Sequence, residues 1–211
     1  MRKEVFLPDE YYHIYNRGVD KRVVFLSDRD RFRFINALYV LNNFKEIPYR
    51  FDMQSLSPRE LLIPQKPFVR IVAGCLMPNH FHLLVTPLKE RGVSGFFHKI
   101  GVSYAMYFNK RHERTGRLFE GTFKARHVDS HEYINYLTQY IHLNPFALFQ
   151  TKSGIKEKSL EEVKRYPWSS AADYIGKRSN LSLIIDKKFR DEVLGVNEVE
   201  YEKFLDEMFQ T

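Results

Sequence analysis

The stretch from Val69 to Thr86 constrains the fold more than any other part of the chain. Val69–Met77 and His80–Thr86 are rich in residues that favour β-strands. Pro78 and Asn79, which lie between them, suit a tight turn. We therefore expect a β-hairpin, and the other elements can be placed relative to it.

Two histidines lie on one face of the second predicted strand. Side chains alternate along a strand, so His80 and His82 point to the same side, opposite Phe81, Leu83 and Val85. Two imidazoles held on a rigid strand can be aimed at one point, which suits a metal ion. Two ligands rarely hold a metal unaided, so spacing alone leaves open that both histidines merely lie on a half-exposed sheet face.

The composition favours an acidic polymer as the partner. The 211 residues include 33 Lys and Arg against 26 Asp and Glu, a formal net charge of +7, and 44% are hydrophobic, enough for a substantial core. Aromatic residues make up 15%; core packing is their commoner use, and base stacking is another.

The single cysteine and the absence of long apolar runs bear on the compartment. Cys75 lies inside a predicted strand, where we expect it to be buried, and one cysteine excludes an internal disulfide or a cysteine-built zinc site. No apolar run is long enough to span a bilayer or to act as a signal core. We therefore expect a cytoplasmic protein.

The remaining chain alternates between strand and helix patterns. In chain order we expect a first strand within 11–20, a helix from about 28 to 44, an insertion of unknown purpose at 47–67, a helix over 93–111, a strand within 116–128 and short helices after 146.

A helix between Asp129 and Pro145 carries further candidate residues. Asp129 and Glu132 suit a capping box, and Pro145 ends the helix. Tyr140 and Asn144 are four residues apart and therefore neighbours on one side. The side expected to face inward carries Tyr133, Leu137, Tyr140, Ile141 and Asn144; the other carries Glu132, Asn135, Thr138, Gln139 and His142. The pattern alone leaves open a functional pair, or a core tyrosine beside a capping asparagine.

Several segments resemble one family. Met-Pro-Asn-His-Phe-His-Leu-Leu-Val, residues 77–85, resembles the His-hydrophobic-His (HUH) signature of single-tyrosine transposases of the IS200 type and their REP-associated relatives. Tyr-Ile-His-Leu-Asn-Pro, residues 140–145, resembles the family's catalytic tyrosine helix. Weaker similarities at 16–18, 118–124 and 166–170 extend the resemblance over roughly 11–174.

The resemblance implies a role for each candidate residue. Tyr140 corresponds to the nucleophile, and His80, His82 and Asn144 correspond to the ligands of Mg²⁺ or Mn²⁺. Insertion-sequence members often carry glutamine at the position of Asn144, and REP-associated members resemble this chain more closely. Two further tyrosines of the helix, Tyr133 and Tyr136, are rival nucleophiles.

The resemblance also implies an α+β fold and an activity. The expected fold is an RRM- or ferredoxin-like antiparallel sheet with helices packed on one face, spanning 1–150, followed by a C-terminal helical extension over 151–211 that packs on this core. The expected protein is a homodimeric transposase that nicks and rejoins single-stranded or hairpin DNA through a 5′-phosphotyrosine intermediate. Arg17, Lys124 and Arg126 are expected to bind the DNA backbone.

Two alternatives to this activity stay open at the level of sequence. One is a domesticated DNA-binding protein that keeps the fold and does not transpose. The other is an RNA-binding module, which would need neither His80 nor Tyr140.

Overall fold

The computed structural model describes residues 5–43, 66–89, 92–149 and 159–208 of the chain. The predicted insertion at 47–67 lies outside the described residues except for its last two positions. The elements are β1 (Tyr11–Arg17), α1 (Asp28–Val40), β2 (Val69–Met77), β3 (His80–Pro87), α2 (Gly92–Arg111), β4 (Lys124–Val128), α3 (His131–Leu143), α4 (Phe146–Phe149), α5 (Ser159–Lys164), α6 (Ala171–Tyr174) and α7 (Glu198–Met208), with a 3₁₀ turn at Val19–Lys21 and a π-helical turn at Arg190–Leu194.

The strands form one antiparallel sheet in the order β2-β3-β1-β4. One helix, α1, connects β1 to β2, and α2 connects β3 to β4, which is the ferredoxin-like arrangement. The predicted α+β fold class is therefore confirmed. The predicted hairpin is confirmed as well, because β2 and β3 pair directly across Pro78 and Asn79.

The two faces of the sheet carry different side chains. Ile14, Phe81 and Leu83 belong to the core face, where the ring of Phe34 on α1 lies 5.0 Å from the ring of Phe81. Alternation and the strand register place polar side chains on the opposite face, called here the histidine face. The histidine face carries His13, Tyr15 and Arg17 of β1, His80 and His82 of β3, and Lys124 and Arg126 of β4. Helix α1 packs on the core face and α2 packs against α1, while α3 lies against part of the histidine face.

The starts of α1 and α3 are both fixed by serine caps. Ser27 forms a reciprocal capping box with Asp30, three residues later. In α3 the cap is Ser130, whose hydroxyl accepts a hydrogen bond from the backbone N–H of Tyr133. The capping box predicted for Asp129 and Glu132 is therefore wrong by one position.

The buried side of α3 also differs from the prediction. Thr138 and His142, expected on the outer side, are fully buried, whereas Tyr140 is 40% exposed. Thr138 donates a hydrogen bond to the carbonyl of Ile134 at 2.8 Å, and the ring nitrogens of His142 each have a partner. Polar side chains can be buried once their hydrogen bonds are made, so the helix is turned relative to the apolar pattern.

The C-terminal segment packs against the edge of the sheet at β2. The backbone N–H of Ser170 donates to the carbonyl of Gly74 at 2.9 Å, and the Tyr174 hydroxyl donates to the carbonyl of Val72 at 2.6 Å. These bonds cover backbone groups that an edge strand would expose. The division of the chain at residue 150 stays a prediction. In the described ranges, no helix combines the length and apolarity that crossing a membrane requires.

Candidate active site

Strand β3 and helix α3 bring the four residues of the predicted site together. His80 Nε2 lies 3.2 Å from Asn144 Oδ1, and the ring centroids of His80 and His82 are 5.0 Å apart. The ring of Tyr140 stands almost perpendicular to that of His82, with centroids 5.6 Å apart. The predicted nucleophile and the predicted ligands therefore form one cluster within a single chain.

Both histidines of β3 are neutral at neutral pH. Burial lowers the pKa of His80 and outweighs the opposing effect of its contact with Asn144, and the charge of Arg17 lowers it further. Burial, followed by the effects of His13, His80 and Arg17, lowers the pKa of His82 to about 2. A neutral imidazole keeps a lone pair, which is what a metal ion requires of a histidine ligand.

The hydrogen bonds of His80 test whether the cluster fits a metal. Its Nδ1 lies 2.6 Å from Asn79 Oδ1, so that nitrogen carries the proton and donates it. A neutral ring has only one N–H, so Nε2 turns a lone pair toward Asn144 Oδ1, 3.2 Å away. Atoms that bind adjacent positions of one ion at about 2.1 Å lie about 3 Å apart. The separation of His80 Nε2 and Asn144 Oδ1 therefore fits two ligands of one divalent cation. An Asn144 amide rotated so that its NH₂ group faces His80 would account for the same distance by a hydrogen bond.

The donor set determines which ions would suit the cluster. Among the described residues, no group of three or more His, Cys, Asp or Glu side chains is arranged to hold a metal. The candidate ligands instead combine the imidazoles of His80 and His82 with the amide oxygen of Asn144. Such a mixed nitrogen and oxygen set is compatible with Mn²⁺ or Mg²⁺ and leaves positions open for phosphate oxygens.

His13 is the residue that the sequence analysis missed. Its Nε2 lies 2.8 Å from His82 Nδ1, and the two rings stack with centroids 5.0 Å apart. The bond occupies Nδ1 of His82, so only Nε2 of that ring is available to a ligand. Its position on β1 shows that His13 shares a face with Arg17, but only the register between β1 and β3 shows that it neighbours His82.

The three predicted DNA-binding cations lie on the histidine face in different settings. Arg17 pairs with His80 in the strand register. Lys124 forms an ion pair with Glu120 at 3.1 Å, and its side chain is half exposed. The guanidinium of Arg126 lies 5.0 Å from the centroid of the Tyr133 ring. Their role in DNA binding stays a prediction.

Comparison with known protein families identifies the segment that contains this cluster. Residues 63–144 match the model of the family described as "Transposase IS200 like". The predicted resemblance to IS200-like transposases is confirmed. The matched segment contains Tyr140 and all three predicted metal ligands, and it is less than half of the chain. No curated protein matches the sequence.

A solved structure shares the fold of this chain over most of its length. It is described as a REP-associated tyrosine transposase bound to a REP hairpin. The TM-score is 0.55 at 13% sequence identity, and the alignment covers 83% of this chain and 85% of the other. At this identity, the likeness establishes the fold alone.

Proposed function

We propose that this protein is a metal-dependent single-stranded DNA transposase, an endonuclease that nicks and rejoins hairpin DNA. The observation that carries the proposal is the convergence of Tyr140 with His82, whose ring centroids are 5.6 Å apart. The match of residues 63–144 to IS200-like transposases supports a function of the transposase type, which includes DNA binding. The similar structure holds a REP hairpin, which supports hairpin DNA as the substrate.

Tyr140 acts as the nucleophile. The side chain is 40% exposed, so a phosphodiester can reach its hydroxyl, while the buried Leu137 and Ile141 hold the helix in place. Its phenol oxygen gives up its proton to a solvent water, attacks the phosphorus and forms a 5′-phosphotyrosine bond, and the bond from the phosphorus to the 3′ oxygen breaks. The leaving oxygen takes up a proton. Attack by the 3′-hydroxyl of a second strand reverses the step, rejoins DNA and returns the proton to Tyr140.

His80, His82 and Asn144 would hold a Mg²⁺ or Mn²⁺ ion. Bound there, the ion supplies positive charge that offsets the negative charge developing on the phosphate oxygens. The neutral state of both imidazoles and the 3.2 Å separation between His80 Nε2 and Asn144 Oδ1 support this assignment.

Arg17, Lys124 and Arg126 bind phosphates of the same DNA. All three lie on the histidine face, and the net charge of +7 supports an anionic partner. Replacing Lys124 and Arg126 by alanine should weaken hairpin binding and lower its dependence on salt. Unchanged affinity and unchanged salt dependence would remove these two residues from the DNA interface.

The decisive experiment looks for the covalent intermediate. The protein is mixed with Mn²⁺ and labelled DNA hairpins whose single-stranded flanks are randomised, and denaturing gels are inspected for a protein–DNA adduct. We expect an adduct with the wild type, with Tyr133→Phe and with Tyr136→Phe, and none with Tyr140→Phe. An adduct that survives Tyr140→Phe would refute the assignment of the nucleophile. Hairpin binding with no adduct in the wild type would favour a DNA-binding protein without cleavage.

A homodimer is part of the proposal, because the family resemblance implies it. The cluster of Tyr140, His80, His82 and Asn144 is complete within one chain, so its assembly does not require a partner. Sedimentation with and without hairpin DNA tests the oligomeric state. A monomer under both conditions would refute the homodimer and would not affect the catalytic proposal.

A further inference from the structure

Three tyrosines form a continuous row along α3, called here the tyrosine row: Tyr133, Tyr136 and Tyr140. Their spacing of three and four residues puts them in one stripe on the helix. The rings of Tyr133 and Tyr136 stack with centroids 6.3 Å apart, and those of Tyr136 and Tyr140 stack with centroids 6.4 Å apart. Each pair of ring planes is inclined by only 20°.

Packing of the helix does not account for the middle ring of this row. Tyr136 is 53% exposed, while Ile134, Leu137 and Ile141 are the buried apolar side chains that anchor α3. A large ring left in solvent gains none of the stability that its burial would contribute. Tyr140 is also exposed, while Tyr133 is partly buried against the core and fixes one end of the row. A row of stacked rings with two of them in solvent therefore marks a binding surface more readily than a structural feature.

The two ends of the row point to the chemistry of the partner. At one end, the guanidinium of Arg126 lies 5.0 Å from the Tyr133 ring, which adds a positive charge to a flat stacking surface. At the other end, Tyr140 contacts His82, the proposed metal ligand. Aromatic rings beside a cation are the combination that binds single-stranded nucleic acid, because every base has a face that can stack.

We propose that the tyrosine row stacks against the unpaired DNA bases next to the phosphate that Tyr140 attacks. This inference rests on the proposed function, which makes Tyr140 the nucleophile. Seven residues of α-helix rise about 10 Å, the length of about three stacked bases, so the row serves a short single-stranded flank and not a duplex. Tyr136 and Tyr133 bind the bases, and Arg126 binds a phosphate at the far end.

The test compares two probes that differ only in their bases. Both are the same DNA hairpin with a single-stranded flank of equal length and charge, and in one probe the flank is abasic. Binding is measured in EDTA, so that cleavage does not contribute. We expect Tyr136→Ala to weaken binding of the probe with bases about tenfold and to leave binding of the abasic probe unchanged. Tyr136→Phe keeps the ring and should bind both probes like the wild type.

Met106→Ala is the matched control, because Met106 is also a large exposed side chain, 60% exposed, on helix α2. It should bind both probes normally. Equal affinity of Tyr136→Ala and the wild type for the probe with bases would overturn the inference. Equal weakening with both probes would also overturn it, since the contact would then be to the backbone.

The adduct assay run in parallel separates this inference from the proposed function. Normal binding by Tyr136→Ala, together with an adduct that Tyr140→Phe abolishes, would refute base stacking by the tyrosine row and support the proposed transposase activity. If Tyr136→Ala loses affinity only for the probe with bases and the wild type forms no adduct, the tyrosine row is a DNA-binding surface and the proposed nuclease activity is refuted.

Discussion

His13 Nε2 and His82 Nδ1 lie 2.8 Å apart, in a buried contact that joins β1 to β3. Burial, together with the charge of Arg126, lowers the pKa of His13 to about 4, so this ring is neutral. One proton then lies between the two nitrogens. When His82 donates it, the lone pair of His82 is on Nε2, the nitrogen that a metal would bind.

Replacing His13 should weaken metal binding without touching a proposed ligand. In His13→Phe, His82 Nδ1 loses its acceptor and the ring is no longer held in the form that binds metal, so we expect Mn²⁺ affinity to fall about tenfold or more. Calorimetry or electron paramagnetic resonance measures that affinity directly. Tyr15→Phe is the control, because its ring lies 5.8 Å from His82 and the substitution leaves the histidine pair intact. Wild-type affinity in a folded His13→Phe protein would contradict the prediction.

Substitutions of Asn144 distinguish a metal ligand from a hydrogen-bond donor. Asn144→Ala removes the oxygen that lies 3.2 Å from His80 Nε2, and Mn²⁺ affinity should fall. Asn144→Asp keeps an oxygen there and adds a negative charge, so affinity should be preserved or raised. If Asn144→Asp binds Mn²⁺ as weakly as Asn144→Ala, the side chain acts through its N–H group and not as a ligand.

Asp30 should make the free energy of unfolding depend on pH. Burial raises the pKa of this carboxyl, but hydrogen bonds from His112, Ser27 and Tyr107 outweigh that effect and leave it lowered. A lowered pKa contributes stability above the unfolded value of about 4 and loses it as the pH falls through the folded value. Asp30→Asn should therefore lower stability at pH 7 by about 1–3 kcal/mol and reduce the decline between pH 5 and 3.

Urea unfolding at pH 7, 5, 4 and 3 tests the role of Asp30. The matched control is Asp28→Asn on the same helix, whose side chain is 73% exposed and pairs with Arg31. That change should alter the free energy of unfolding by about 0.5 kcal/mol or less. An identical pH dependence in the wild type and in Asp30→Asn would show that the buried carboxylate contributes nothing to acid sensitivity.

Gly18 is required by a close approach of the backbone just after β1. A Cβ atom at this position would lie 2.3 Å from the carbonyl oxygen of Arg22, so the turn would have to move. We expect Gly18→Ala to lower the free energy of unfolding by about 1–3 kcal/mol. Gly101→Ala on α2 is the control, since its Cβ would meet nothing within 4 Å and alanine favours a helix. A smaller loss in Gly18→Ala than in Gly101→Ala would refute the packing argument.

Local sequence patterns were sufficient to predict most helices and strands of the fold. The predicted strand Val69–Met77 has the observed bounds, and the next strand begins at the predicted residue, His80. Strand alternation, turn residues and caps act between neighbours in the sequence, so they can be recognised without knowing the fold. The same holds for His80 and His82, whose common face follows from their spacing.

The orientation of α3 could not be predicted in this way. His142 is buried because its ring nitrogens lie 2.7 Å from the hydroxyl groups of Tyr201 and Ser170. Both partners come from the C-terminal segment, far along the chain. Counting apolar residues along the helix therefore assigned His142 and Thr138 to the wrong side.

The sequence by itself determined which residues are chemically suited to the site: an imidazole pair on one strand, and a tyrosine with an asparagine four positions later on a helix. Only the tertiary structure decided that these groups meet, that His13 joins them, and that Tyr136 stays in solvent beside Tyr140. The physical reason is the distance along the chain over which each kind of interaction acts. Residue type and spacing act over a few positions, whereas strand register and hydrogen bonds between distant segments exist only once the chain has folded.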